Sequence, residues 1–408
     1  MRSEPISSSA TAATADAATA RAASGFNSDG RYIYIACPWT PKGGGMFKVA
    51  DYLIQAQSLN PQAGFAELRA LDTRGGANAV YSLLMLANAV DKLVRGRLNG
   101  KLAGVHVNMA ERLSLFRKSI IIVSCRALGV PVVLHLHAAQ LHHFYRALPS
   151  PLRAVTRWVF SLPASIVVLG TTARQFVIDE LKVPEVRVEI ISNGVPEPVE
   201  PRRPLMAHPA QRVQRVLFVG NLSERKGVTD LLQALARPGF NATMLELTFA
   251  GGGDVAQYQK KAAELGVDGL VRFIGWANQS QVASLMNSAD ILVLPSYDEG
   301  LPLVILEALA HEVAVVCTPV GEIPLALTDG LNACFVKPGD SASIAEGLQK
   351  VLGNPEFRKH LGQNGRALYN SSFSLPRFFA SVARIHLRHF GVAGQPLKVA
   401  SPDVEAAP

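Results

Sequence analysis

"VPEPVEPRRPLMAHPAQ", residues 195–211, interrupts a chain that has the same rhythm on either side of it. Prolines at this density remove backbone donors and fix φ, so neither a helix nor a central strand can run through the segment. Upstream lie short apolar runs of strand character: "RYIYIA" (31–36), "LAGVHVN" (102–108), "VPVVLHL" (130–136), "SIVVLG" (165–170) and "RVEIIS" (187–192). Downstream the same kind of run returns as "RVLFVG" (215–220), "LELTFAG" (245–251), "LVRFIG" (270–275), "DILVLP" (290–295) and "VAVVCT" (313–318). Runs this apolar, separated by stretches long enough for helices, read as buried parallel strands. The proline-rich segment is then a linker, 196–211, between two doubly wound α/β domains. Length agrees, since 408 residues exceed the size at which single cores stop growing, and a hydrophobic content of 49% can fill two of them.

Composition narrows the function classes. Residues 1–29 are Ala, Ser and Thr with almost no large apolar side chain, and a disordered arm without the apolar stretch of a signal peptide is expected there. No run of about 18 apolar residues suggests a membrane-spanning helix. Cys37, Cys125, Cys317 and Cys334 form no C-x-x-C pair, so a reducing, cytoplasmic setting is expected. The net charge of +8 is uneven: +9 over residues 1–195 and −1 over residues 196–408. An anionic partner is expected for the first half. Nucleic acid fits poorly, because no RNP-like, helix-turn-helix or zinc-finger pattern accompanies the charge. A phosphate-bearing membrane surface or lipid fits better. "ERLSLFRKSIIIVSCRALG" (111–129) carries Arg112, Arg117, Lys118 and Arg126 among large apolar residues, and 142–160 adds Arg146, Arg153, Arg157 and Trp158. Such basic amphipathic stretches can lie on an anionic bilayer, which predicts peripheral association with the inner face of the plasma membrane.

Loops after the strand ends are where doubly wound folds place chemistry. "CPWTPKGGGMFKVADYLIQ" (37–55) brings Gly43, Gly44 and Gly45 to a helix start, where bare backbone N–H groups can approach a phosphate. It is neither a G-x-G-x-x-G nor a P-loop, so alone it is a weak signal, and a flexible surface loop reads equally well. In "VGNLSERKGV" (219–228), Arg225 and Lys226 stand near a helix start, where the macrodipole does not favour cations; they make sense if they serve an anion. "DEGLPLVILEALA" (298–310) places Pro302 in the first turn of a helix, Glu299 just before it and Glu307 two turns inside. The two acids are then roughly 12 Å apart along the axis. Between them the N–H groups of Gly300 and Leu301 are free to bind phosphate. Two carboxylates flanking an anion site match a nucleotide sugar, with hydroxyls at both ends and a diphosphate between. His135, His137, His142 and His143 crowd one segment, but no carboxylate lies nearby and no third ligand is evident, so no metal is expected.

The E-x7-E of "EGLPLVILE" (299–307), together with "VGNLSERKG" (219–227), "SNGVP" (192–196) and "PWTPKGGG" (38–45), resembles the GT-B retaining glycosyltransferases of family GT4. The likeness runs over roughly residues 31–390, and "VGEIPLALTDGLNACFVKPGD" (320–340) resembles the family's segment after the second acid. It implies a GT-B fold of two Rossmann-like domains with the active site in the interdomain cleft: 30–195 binding the acceptor and 212–375 the nucleotide sugar. A helix over 376–390 would pack back on the first domain, ahead of a tail over 391–408. By the same likeness Glu307 binds the donor ribose, Glu299 meets the transferred sugar, and Arg225 and Lys226 hold the diphosphate and stabilise the leaving group. Gly43, Gly44 and Gly45 would lie under donor and acceptor phosphates, and His137 would contact the donor sugar. Asn221 stands where many relatives carry arginine, which puts the strength of phosphate binding in question unless Arg225 supplies the charge. The implied activity is transfer of a hexose from a nucleotide-diphosphate sugar to a glycan or lipid-linked acceptor in surface polysaccharide, exopolysaccharide or lipopolysaccharide synthesis, without a cofactor beyond that co-substrate. A GT-B sugar-nucleotide epimerase and a dinucleotide-dependent oxidoreductase are the alternatives, the latter disfavoured because no complete G-x-G-x-x-G is present.

Overall fold

The computed structural model describes residues 30–39, 44–58, 60, 62, 64–76, 79–138, 140–199, 213–241 and 245–396. The expected arm, Gly43, most of the expected linker and residues 397–408 of the expected tail lie outside them. The chain forms two compact units, one running up to Gly194 and resuming at Leu375, the other spanning Val195–Ser374. No helix among the described residues is long and apolar enough to cross a membrane.

The first unit is built on β1 (Tyr32–Cys37), β2 (Glu67–Asp72), β3 (Leu102–Met109), β4 (Val132–Leu136), β5 (Ser165–Val168) and β6 (Val188–Ile190). They pair in the order β2-β1-β3-β4-β5-β6, all parallel, with Tyr34 opposite Val105 and Val107 opposite Leu134. β1, β3, β4 and β5 are buried at every position, as strands covered by helices on both faces must be. β2, "ELRALD", is missing from the apolar runs for a physical reason: it is an edge strand with four of its six residues not buried, so it never needed a continuous apolar sequence. The helix Leu375–Phe390 belongs to this unit and buries Phe378, Phe379, Val382, Ile385 and Phe390. Phe390 packs on the bare backbone of Gly104 in β3, where a Cβ would fall 2.3 Å from its ring.

The second unit repeats the plan with β7 (Gln214–Val219), β8 (Leu245–Ala250), β9 (Val271–Gly275), β10 (Ile291–Leu294), β11 (Ala314–Cys317) and β12 (Cys334–Phe335). The order is β12-β11-β10-β7-β8-β9, again all parallel. β12 is a two-residue edge strand, too short to register as an apolar run. Phe218, Phe249 and Phe273 stack across β7, β8 and β9 with ring centroids 5.3 and 4.7 Å apart. Val195 and the turn Tyr369–Phe373 close the unit on itself, since Val195 N donates to Phe373 O at 3.0 Å and the Tyr369 hydroxyl donates to Val195 O at 3.1 Å.

Strand order fixes where ligands can sit. The first sheet reverses direction between β1 and β3, the second between β7 and β10. In doubly wound sheets the crevice at the carboxyl end of such a reversal takes the ligand.

Candidate active site

Two loops leave the second sheet at its reversal, one after β7 and one after β10, and they are stitched together. Glu224–Lys226 forms a single 3-10 turn, and Gly227 at φ +68 starts the helix Val228–Leu235. A Cβ on Gly227 would lie 2.1 Å from Pro295 O, so only glycine lets this turn close on the loop after β10. Tyr297 N donates to Arg225 O at 2.8 Å, and Arg225 Nη1 donates to Asp298 O at 2.6 Å. Lys226 Nζ makes an ion pair with Glu299, the two side chains being only 12% and 9% exposed. Tyr297 is fixed in turn by its hydroxyl, which donates to Asp230 at 2.8 Å. The loop after β11 supports the acid from behind: Glu322 N donates to Gly300 O at 3.2 Å, and a Cβ on Gly321 (φ +59) would strike Glu299 O at 1.8 Å.

The helix expected to follow begins at Leu303, with Pro302 at its N-cap, one residue earlier in the motif than expected. In Leu303–Ala310 every residue is buried except Glu307, so the helix is a core element with one acid at its margin. The backbone N–H groups of Gly300 and Leu301 find no protein acceptor among the described residues. Asn221 is exposed just beyond β7. The structure thus brings Arg225, Lys226, Glu299, Gly300 and Leu301 to one edge of the second unit, with Glu307 on the helix that follows.

In the first unit, Gly44 caps the helix Gly45–Gln55 and faces open space, with nothing within 4 Å of a would-be Cβ. His137 sits just past β4. Its backbone N–H donates to Met109 O at 2.7 Å, and its Nε2 donates to Asn108 Oδ1 at 2.8 Å. Burial, with His106 adding to it, lowers its imidazolium to about 3, so the ring is neutral. With Nε2 carrying the proton, Nδ1 presents a lone pair that can accept from a hydroxyl.

Two features escaped the sequence. His135 is part of a buried chain of histidines. His106 Nδ1 lies 2.9 Å from His386 Nε2, His106 Nε2 lies 3.2 Å from His135 Nδ1, and the His135 and His137 rings are 4.1 Å apart. Desolvation holds all four neutral. No group of three metal-ligating side chains occurs among the described residues. Lys118 drops out of the basic face expected for this helix: it is wholly buried in Leu113–Leu128 and donates to Thr73 Oγ1 at 2.5 Å. Its stripe Leu115, Lys118, Ile121, Ile122 and Cys125 is the helix's core face, a spacing that the sequence displayed.

An all-parallel sheet whose reversal ties Lys226 to Glu299 and Arg225 to the Asp298 carbonyl defines the second unit as a doubly wound α/β module with two cations at the ligand end of its sheet. Residues 208–368 match the family described as "Glycosyl transferases group 1". The chain is similar to the uncharacterized glycosyltransferase MJ1607 of Methanocaldococcus jannaschii, 29% identical over 213 residues, which are 49% of this chain and 54% of that protein. The chain therefore spans about half the length of that relative. Sucrose-phosphate synthase from Thermosynechococcus elongatus has a similar structure, with a TM-score of 0.67 and 17% identity, covering 88% of this chain and 98% of that one. Anabaena Alr3699/HepE in complex with UDP-glucose gives a TM-score of 0.67 at 16% identity, covering 87% and 98%. At these identities the likeness is one of fold, and the fold is GT-B.

Proposed function

We propose that this chain is a glycosyltransferase that moves a hexose from a nucleoside-diphosphate sugar to a glycan or lipid-linked acceptor in surface polysaccharide or lipopolysaccharide synthesis, with retention of anomeric configuration. The observation that carries this is the stitching of Arg225 and Lys226 to the Asp298–Glu299 turn at the ligand end of the second sheet. In this reading Arg225 and Lys226 hold the diphosphate, assisted by the N–H groups of Gly300 and Leu301. Glu299 binds hydroxyls of the transferred sugar, Glu307 binds the ribose, and neutral His137 accepts from a sugar hydroxyl through Nδ1. Departure of a nucleoside diphosphate puts negative charge on the leaving oxygen, and fixed cations aimed there lower the barrier. The UDP-glucose complex of the Anabaena neighbour supports a donor of this class.

A thermal-shift panel of UDP-, GDP- and ADP-sugars tests the donor. A ligand at 100 times its dissociation constant stabilises by about 2.7 kcal/mol. Silence toward all of them overturns the reading. NMR of the product separates transfer from epimerisation, since an epimerase converts the nucleotide sugar with no acceptor present. Turnover is expected to persist in EDTA.

A peripheral membrane setting has its own support. Leu83 and Leu84, Phe116 and Ile120, and Val155 and Trp158 are exposed on three helices of the first unit, Ala79–Leu98, Leu113–Leu128 and Ser150–Ser161, with Arg153 and Arg157 on the last. Apolar side chains beside arginines suit an anionic bilayer. Sedimentation with anionic vesicles should fall for Trp158→Ser and for rising salt; equal binding to neutral vesicles would remove this part of the proposal.

A further inference from the structure

The reversal of the first sheet gathers cations that no carboxylate ion-pairs among the described residues, although Asp72 lies near enough to Lys118 to attract it. Asp72, at the end of β2, accepts through one carboxylate oxygen from the backbone N–H groups of Trp39 (3.2 Å), Arg74 (2.9 Å) and Gly75 (3.0 Å). That oxygen ties together the segments that leave β1 and β2. Lys118, on the helix that follows β3, meets one neutral acceptor, the Thr73 hydroxyl. Beside it, Arg117 has a buried Nε with no acceptor, and its charge is repelled by Arg74. Neither guanidinium has a carboxylate partner among the described residues. The indole Nε1 of Trp39 is also buried and unmet. Buried donors are nearly always satisfied, so a cluster of unmet ones at the ligand end of a doubly wound sheet points to a missing acceptor.

We propose that Arg74 and Arg117 clamp a phosphate group carried by the acceptor, with Lys118 as the positioning residue that fixes Thr73 beneath it. The inference rests on the reading of the first unit as the acceptor-binding one. Two planar guanidinium forks match the oxygens of a phosphate, and two charges match its dianion better than they match a single carboxylate. Lys118 adds a signature. Burial lowers its ammonium to about 7, against the opposing pull of Cys37 and Asp72, and Arg117 lowers it further. An anion arriving nearby therefore draws a proton onto Lys118 at neutral pH.

Calorimetric titration of the full chain with inorganic phosphate, in the presence of UDP to occupy the second unit, tests the site. Chloride at equal ionic strength is the control. The parent is expected to bind phosphate with proton uptake, detected as a difference between buffers of different ionisation heat. Arg74→Gln and Arg117→Gln should each weaken binding about tenfold or more, and Lys118→Met should remove the proton uptake. Arg74 is exposed, so its variant carries the test if Arg117→Gln fails to fold and loses its UDP response too. Phosphate binding that is unchanged in Arg74→Gln, or no stronger than that of chloride, overturns the proposal. If UDP does not bind the parent while phosphate binds through Arg74, the donor reading falls and this one stands. A sugar monophosphate and phosphatidic acid vesicles then distinguish a soluble acceptor from a lipid one: whichever competes with phosphate in the parent and not in Arg74→Gln is the source.

Discussion

At the reversal of the second sheet each cation is met within the unit, Lys226 by Glu299 and Arg225 by Asp298 O. At the reversal of the first, Lys118 has only a hydroxyl, Arg117 a buried Nε with nothing, and Arg74 a like charge for a neighbour. The two edges share a geometry and differ in electrostatic completeness. A matched pair is preorganised: its charges are held in place before the ligand arrives, which suits stabilising charge that develops during reaction. An unmatched set carries a standing desolvation cost that an incoming anion relieves, which suits recognition.

The largest expected effect breaks the matched edge. Lys226→Met should lower turnover about 10²–10³-fold. It also strands the buried Glu299 carboxylate, so stability should fall by about 3–5 kcal/mol. Adding Glu299→Gln should recover most of the stability and none of the turnover, as read by urea unfolding and steady-state kinetics. Full stability in Lys226→Met would show that the pair is not held in solution.

Acid should act on the other unit. His106 and His137 are lowered from 6.5 to about 3, and His135 and His386 are also well below their ordinary value. Below pH 6.5 the unfolded chain takes up protons that the folded histidines refuse. Stability is therefore lost as pH falls from 6.5 toward 3, by about 1.4 kcal/mol per pH unit for each such histidine. Unfolding of the first unit, followed by hydrogen exchange, should precede that of the second; simultaneous loss would dissolve the contrast.

Lys118→Met sharpens it further. With its ammonium lowered from 10.5 to about 7, Lys118 contributes stability that is full above 10.5 and is lost as pH falls to 7. The variant should flatten that slope of about 1.4 kcal/mol per pH unit. A slope unchanged in the variant would assign it to other groups. The smallest effect is that of Glu307→Ala, expected to weaken UDP binding about tenfold, the worth of a hydrogen bond to a charged group. Equal affinity would take Glu307 out of the ribose site.

The two edges also differ in how far they could be read from sequence. The second was legible because its chemistry is local. Strand ends, glycines and the E-x7-E spacing place Glu299 in the turn before a helix and Glu307 within it, and the apolar residues around Glu307 mark it as unusual. The Lys226–Glu299 contact was not legible, since it joins residues 73 apart through the order of strands. The first edge was misread at Lys118, where basic residues among apolar ones suggested a solvated face. Its spacing with Leu115, Ile121, Ile122 and Cys125 put it on the core stripe all the same. The His106–His386 contact spans 280 residues and depends on a helix that returns to the first unit, so no local pattern could carry it. The edge strands β2 and β12 lacked the apolar continuity that central strands need.

The second unit, Val195–Ser374, begins and ends within one hydrogen-bonded bridge, Val195 with Ser374. It is an insertion whose two ends are already joined, so its closure does not wait for the rest of the chain. During synthesis, which adds ~5–20 residues per second, it can complete its sheet before the helix Leu375–Phe390 has been made. The first unit has no such independence. Gly104 stays uncovered by Phe390, and His106 unpaired with His386, until the helix Leu375–Phe390 emerges. The half of the molecule that is translated first is therefore the half that finishes folding last.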